Sequence, residues 1–228
     1  MRNFSYKKYI ELIEHSKEPI FRKQMIDEYN EISKIKDAKS KTFIDLGAGH
    51  GRILPLISKI GKEVISIEIN PNMLPELKKR TSKVSNAKII VGDMTKLSYL
   101  LANEKLSNPV LLLLQNTIGT IEGSAEDLLF EMKKVANDNK GEIIITFFRS
   151  EKLLDWGINI LYPGTSSMVG NPDIKKTDLS KGLFESDTGY TSKWRSKEEI
   201  DDLKKFFGGQ VINEIWTDYY CTLHIKYY

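Results

Sequence analysis

Thr42-Phe43-Ile44-Asp45-Leu46-Gly47-Ala48-Gly49-His50-Gly51-Arg52 is the stretch whose reading decides the fold. Its first five residues combine β-branched, aromatic and aliphatic side chains, the mark of a short buried strand. Glycines then recur at 47, 49 and 51. Glycine is needed where a tight turn takes positive φ, and where backbone must approach a ligand closely. From about Arg52 to Ile60 the pattern becomes helical. Working outward, Glu63–Ile67 reads as strand and Pro71–Thr81 as helix, with Pro71 in its first turn. Ala87–Val91 is the next strand and Lys96–Asn103 a weak helix. Val110–Gln115 is a strongly apolar strand, Ala125–Ala136 an amphipathic helix, and Gly141–Phe148 a strand. Strands alternating with helices imply parallel pairing through right-handed crossovers, a doubly wound α/β sheet. Near-continuous apolar strands imply that both faces are covered.

The flanks obey other rules. Tyr9, Leu12 and Ile13 share a helical face, and Ile20, Met25, Ile26, Tyr29 and Ile32 suggest a second helix after Pro19. Beyond Phe148 come turn signals at Pro163-Gly164, Gly170 and Asn171-Pro172. Gly182–Ser186 and Tyr190–Trp194 flank Asp187-Thr188-Gly189 and predict a β-hairpin. Ser196 and Glu199 form a capping-box pattern before a helix to Phe207. Gln210–Trp216 and Tyr219–Tyr228 alternate like an antiparallel strand pair. The expected organisation is a single domain over 1–228. It has an N-terminal helical cover (1–38), a ligand-binding core (40–148), a lid or insertion (149–195), and a last helix and strand pair (196–228).

Composition narrows the function. The chain has 34 basic against 31 acidic side chains, a net charge of +3. Its lysine runs (Lys78-Lys79-Arg80, Lys175-Lys176, Lys204-Lys205) are short and interleaved with acids, like solvated helix faces, which argues against a dedicated nucleic-acid binder. The lone cysteine, Cys221, allows no intramolecular disulfide, and no Cys/His cluster has zinc spacing, so no metal is expected. The longest apolar run, Val110–Leu114, is too short to cross a bilayer. Met1–Lys8 lacks the apolar core of a signal peptide. A cytoplasmic protein without membrane partners is expected.

Two acids stand at strand ends beyond the glycine-rich turn. Glu68 closes the second strand, where a carboxylate can accept from ribose hydroxyls. Asp93 closes the third, where one can accept from an adenine amine. A nicotinamide site shows G-x-G-x-x-G with pyrophosphate on the helix N-terminus. This chain has G-x-G-x-G preceded by Asp45, and an acid there suits a ligand carrying ammonium and sulfonium groups. The absence of G-K-[ST] excludes a phosphate-binding P-loop.

On these residues the chain resembles the class I S-adenosylmethionine-dependent methyltransferases. Phe43–Arg52 is similar to the family's first motif, Ile67–Leu74 to its second and Gly92-Asp93-Met94 to its third. The resemblance covers about residues 40–148. It implies a Rossmann-like, mostly parallel seven-stranded sheet with an antiparallel last strand, S-adenosyl-L-methionine as cofactor, and methyltransferase activity. It places Gly47, Gly49 and Gly51 against the methionine moiety, Glu68 at the ribose, and Met73, Asp93 and Met94 at the adenine. Asp45, Ala48, Arg52, Ile69, Gln115 and Asn116 complete the expected cofactor-binding set.

The acceptor is read from the residues at the end of the fourth strand, Gln115-Asn116-Thr117-Ile118-Gly119-Thr120. Enzymes that methylate base amines usually carry (D/N)-P-P-(F/Y) at this point, and this chain does not. Asn116-Thr117-Ile118-Gly119 resembles small-molecule N-methyltransferases of the glycine and sarcosine type. The expected acceptor is a nucleophilic nitrogen or oxygen of a small molecule, bound by Asn116, Thr117, Arg149, Tyr190 and Trp194 under a mobile lid. Methyl transfer is an in-line displacement that depends on alignment, so no catalytic side chain is assigned. The alternatives are methylation of protein or RNA, and a non-catalytic S-adenosylmethionine-binding protein. His15, His50 and His224 read as structural. The sequence assigns no oligomeric state.

Overall fold

A computed structural model describes residues 6–228. Of the expected 1–38 cover, residues 1–5 lie outside the described residues. Seven strands form one sheet in the order β3-β2-β1-β4-β5-β9-β8. They are β1 (Thr42–Leu46), β2 (Glu63–Glu68), β3 (Ala87–Val91), β4 (Val110–Leu113), β5 (Glu142–Phe148), β8 (Gln210–Trp216) and β9 (Tyr220–Lys226). β1 to β5 pair in parallel, and β9 is antiparallel to both β5 and β8. This is the expected doubly wound sheet with its reversed last strand. The expected hairpin is β6 (Leu183–Glu185) with β7 (Thr191–Lys193), standing apart as its own two-stranded sheet.

The period-two alternation of the strands sorts side chains into two layers. Ile44, Leu46, Ile65, Ile67, Leu111, Leu113, Ile143 and Ile145 pack with α6 (Ala125–Asp138) and α9 (Lys197–Phe207). Phe43, Val64, Val110, Leu112 and Ile144 pack on the opposite side, with Ile32 of α2 (Pro19–Ser33) and α3 (Leu54–Ile60). Both layers are fully buried. At the roughly 25 cal/mol per Å2 of apolar burial, these two layers dominate the favourable side of folding. The remaining helices are short: α1 (Tyr6–Tyr9), α4 (Leu74–Thr81), α5 (Leu97–Leu100), α7 (Tyr162–Gly164) and α8 (Ser166–Val169).

Three expectations change. Helix α4 begins at Leu74, after the position expected for Pro71. The Asn72 N–H donates to Asn70 Oδ1 and the Met73 N–H to Asn70 O, a side-chain-closed turn that delays the helix. The helix expected over Lys96–Asn103 is one turn, Leu97–Leu100, after a 3-10 turn at Met94–Lys96. The segment after Phe148, read from its turn residues, contains a wide π-helical run over Leu153–Leu161. Gly157 sits where it meets Trp194: an added Cβ would lie 2.9 Å from the indole.

A buried ionic cluster pins α2 to the far end of the sheet. His224 Nδ1 lies 2.7 Å from Glu31 Oε1, and its Nε2 lies 2.9 Å from Glu142 Oε2. Lys41 Nζ donates to Glu142 at 2.7 Å and Asn213 Nδ2 to Glu31 at 2.6 Å. Burial works to lower the His224 pKa, but the two carboxylates outweigh it and raise it above the ordinary value of 6.5. Burial works to raise Glu142, yet His224 and Lys41 hold it down to about 2. A raised imidazole stabilises the fold fully below 6.5 and loses that contribution as pH climbs through its folded value. A depressed carboxylate contributes above 4.5 and loses it as pH falls through about 2. The cluster therefore stabilises most between these limits. The expected outcome for His224→Gln is a loss of about 3 kcal/mol at pH 6, as for breaking a buried charge pair. Its unfolding free energy, from denaturant melts, should also lack the parent's decline above pH 6.5.

Candidate functional site

The carboxyl ends of β1, β2, β3 and β4 converge where the strand order reverses between β1 and β4, the usual ligand crevice of an open α/β sheet. Gly47, Gly49 and Gly51 take φ of 67°, 57° and 84°, the left-handed region that glycine enters without penalty. A Cβ built on Gly49 would meet nothing within 4 Å, so this backbone faces open space. Glu68 fixes the turn from across β2. Its Oε2 accepts the Gly49 N–H at 2.6 Å, and its Oε1 accepts those of Ile69 and Asn70 at 2.8 and 2.7 Å. A carboxylate offers about four acceptor sites, so Glu68 keeps roughly one for a ligand.

Three cavities meet at Tyr9 and Thr117. The largest, about 350 Å3, runs over Gly47, Gly49, Glu68, Ile69, Met73, Asp93 and Met94 to the loop Thr120–Gly123. Its lining contains Glu68, Asp93 and Glu122 and, among the described residues, no Lys or Arg. Asp93 also caps the following turn, accepting from the Thr95 N–H at 3.0 Å. A small cavity of about 30 Å3 holds Asp45, Ala48, His50, Arg52 and Gln115. Burial pushes the Asp45 carboxyl up to about 7, against the pull of Arg52. Arg52 is itself tied to Glu28 at 2.7 Å, and the other oxygen of Glu28 accepts the Gln115 N–H. The third cavity, about 120 Å3, lies between Tyr9, Phe21, Phe148, Tyr162, Tyr190 and their neighbours.

The structure brings the expected cofactor residues to these cavities except Gly51, whose absent Cβ would lie 2.9 Å from the Leu77 side chain, and the Asn116 side chain. Asn116 is fully buried with φ of 56°. Its Nδ2 donates to Lys193 O at 3.2 Å and Ser192 Oγ at 3.3 Å, and its Oδ1 accepts the Phe148 N–H at 3.1 Å. It is a fastener joining β4, β5 and the hairpin, and it lines none of the three cavities. Of the expected acceptor residues, Thr117 and Tyr190 line the third cavity. Arg149 and Trp194 do not. Arg149 turns outward to Thr217 O and Glu151, and stacks over Trp216. Trp194 is fully buried between Phe148 and Trp156, with its indole N–H on Tyr162 Oη at 2.8 Å. Both were expected on composition, and the nearer polar or aromatic partner claims each.

Sequence reading missed Tyr9 as a site residue. Its hydroxyl donates to Gln115 Oε1 at 3.2 Å, and its ring lies 5.3 Å from that of His50. The N-terminal segment is latched by Glu14, which meets His50 Nε2 at 2.5 Å and Arg80 Nη2 at 3.2 Å. Only an alternating helical face marked Tyr9 in the sequence. Gly119 was also missed: its absent Cβ would lie 2.1 Å from Lys193 O. The hairpin backbone can sit on this loop only if residue 119 has no side chain. Gly119→Ala is expected to cost about 3 kcal/mol through overpacking. Gly49→Ala, which meets only open space, should cost about 1 kcal/mol for its positive φ. Urea melts of both proteins check the contrast; equal losses would mean that the hairpin yields.

Residues 44–135 match the family described as methyltransferase domain. A probable ribosomal RNA small subunit methyltransferase A from Methanosarcina acetivorans is 31% identical over 67 residues, which is 29% of this chain and 25% of that protein. The chain thus spans about a quarter of the length of that curated relative. Among solved structures, the PH0226 protein of Pyrococcus horikoshii OT3 superposes with a TM-score of 0.67 at 18% identity, covering 92% of this chain and 93% of that one. A SAM-dependent methyltransferase from Aquifex aeolicus gives 0.59 at 14% identity, over 99% and 100%. The Burkholderia thailandensis 1,6-didemethyltoxoflavin-N1-methyltransferase, solved with its acceptor and S-adenosylhomocysteine, gives 0.59 at 12% identity, over 97% and 86%. Residues 44–135 match a methyltransferase domain, and the chain that carries them has the fold of the class I S-adenosylmethionine-dependent methyltransferases.

Proposed function

We propose that this protein transfers a methyl group from S-adenosylmethionine to a nitrogen or oxygen of a small molecule. One observation carries the cofactor half: among the described residues, the 350 Å3 cavity beside the glycine-rich turn is lined by three acids and no base. Phosphates are repelled by such a lining, whereas a ligand bearing ammonium and sulfonium charges is favoured. Residues 40–148 would hold it. Gly47 and Gly49 leave room for the methionine moiety, the remaining lone pair of Glu68 takes a ribose hydroxyl, and Asp93 and Met94 address the adenine with Met73 beneath. Asp45 offsets the positive charge. Bound S-adenosylmethionine supplies a methyl carbon made electrophilic by sulfonium, and the electrons of the broken C–S bond stay on sulfur.

The third cavity supports the acceptor half. It adjoins the first across Tyr9 and Thr117. The chain's own contribution is to hold the acceptor in line and keep water out, which alignment alone can make worth several kcal/mol. Residues 149–195 form its wall and the N-terminal segment its roof. The wall is packed through Phe148, Trp156, Tyr162, Phe184 and Trp194, and Ile13 and Phe21 of the roof join the same cluster; the short stretch Tyr6–Glu14, which belongs to no strand, is the part of the cover we expect to move. A second reading, methylation of RNA, is favoured by the likeness to the archaeal ribosomal RNA methyltransferase. Turnover on RNA with none on pooled small amines and phenols would select it.

Asp45 makes the cofactor half testable. Its carboxyl titrates near 7, so it is largely neutral at pH 6 and charged at pH 8. Affinity for S-adenosylmethionine, by calorimetry in chelator, should rise about tenfold between those values, one unit of deprotonation being one decade. Asp45→Asn should bind weakly at both. Clear heat with a nicotinamide dinucleotide and none with S-adenosylmethionine would overturn the assignment.

Saturation with S-adenosylhomocysteine should slow amide exchange most in Tyr6–Glu14, and little in β6 and β7. Equal slowing in both would mean that the hairpin moves too.

A further inference from the structure

The third cavity carries information about its occupant. Among the described residues that line it there is no Lys, Arg, His, Asp or Glu. Its walls are the rings of Phe21, Phe148, Tyr162 and Tyr190, with Leu161 and Met168. Its threonine hydroxyls are committed: Thr117 Oγ1 donates to Leu114 O, Thr120 Oγ1 to Thr117 O and Thr165 Oγ1 to Leu161 O. The Tyr9 hydroxyl donates to Gln115 Oε1. That leaves Gln115. Its Nε2 is buried and has no hydrogen-bond partner. An unmade hydrogen bond of this kind costs on the order of 1–3 kcal/mol, which a ligand's acceptor atom would recover. Gln115 and Asn116 are also consecutive non-glycine residues at positive φ, 54° and 56°. Backbone held in that region marks positions where the surroundings impose a conformation. The imposition is visible: the Gln115 N–H is bound to Glu28, which is bound to Arg52.

We propose that the methyl acceptor is an uncharged molecule with about one ring of apolar body, and that it presents a hydrogen-bond acceptor to Gln115 Nε2. The proposal rests on the methyltransferase reading and adds its specificity. A volume of about 120 Å3 is close to the ~150 Å3 of an engineered apolar cavity that takes up benzene. A carboxylate is disfavoured on two counts. Entering an uncharged lining strips its water without a partner. Among the described residues, the cation beneath Gln115 is Arg52, already paired with Glu28, while Asp45 and Glu28 add negative charge there. This departs from the amino-acid acceptors that Asn116-Thr117-Ile118-Gly119 suggests. Asn116 is occupied elsewhere, and Arg149, the expected carboxylate holder, faces outward.

The test uses the full chain saturated with S-adenosylhomocysteine and ligand-observed saturation-transfer NMR. The probes are benzamide and acetophenone, their charged counterpart benzoate, and glycine and sarcosine. Benzamide and acetophenone should bind at least tenfold more tightly than benzoate, and the two amino acids should give no signal. Gln115→Leu and Gln115→Met, each kept saturated with S-adenosylhomocysteine, should weaken benzamide at least fivefold and leave the affinity for benzene, which has no hydrogen-bond acceptor, within twofold of the parent. Preference for benzoate, glycine or sarcosine overturns the proposal. So do unchanged benzamide affinity in either folded variant and absence of binding by every probe. If the parent fails to bind S-adenosylhomocysteine, the underlying methyltransferase reading falls as well, which separates the two failures.

Discussion

One carboxylate organises the crevice. Glu68 stands at the end of β2 and gathers three backbone N–H groups from two segments, the glycine-rich turn and the start of the loop after its own strand. Both segments leave the sheet with unpaired donors, and buried donors must be satisfied. A neutral acceptor could serve, but charge-assisted bonds are roughly twice as strong and shorter. The turn is thereby held with its open side outward, and the same carboxylate remains partly available to a ligand. Under the proposed function, structure and binding would draw on one side chain, and a substitution at Glu68 would disturb both at once.

The remainder of the site is assembled by long-range fasteners of the same kind. Glu28 of α2 joins Arg52 of the glycine-rich turn to the backbone of Gln115. Asn116 joins the ends of β4 and β5 to the hairpin. Glu14 joins the N-terminal segment to His50 and Arg80. Each side chain is a short polar or acidic residue whose partners are distant in sequence. Together they position apolar surfaces that have no directional preference of their own.

This division explains what could be read in advance. The sheet was legible because parallel strands buried on both faces leave unbroken apolar runs, as in Val110–Leu114 and Ile143–Ile145. Gly49, Glu68 and Asp93 were legible because they occupy fixed places at strand ends, so spacing along the chain stands in for spacing in the molecule. The acceptor side lacks that property. Asn116, Arg149 and Trp194 have suitable chemistry, but their partners Phe148, Thr217 and Tyr162 lie far along the chain. Tyr9 belongs to an ordinary helical face and becomes a site residue only by lying across the crevice. The π-helical run at Leu153–Leu161 escaped notice because turn signals at Pro163-Gly164 and Gly170 dominated the local composition.

The position of Tyr9 has a consequence for traffic. A single ring borders the acidic chamber, the apolar chamber and the small cavity between them. The segment that carries it is held by polar contacts to Gln115, His50 and Arg80 and by the packing of Ile13, and its described residues pair with no strand. Under the proposed function, donor and acceptor chambers would share one door, and opening it for either would expose both to solvent. Their occupants would not exchange as independent visitors: whichever sat against Tyr9 would help to decide how long the other stayed.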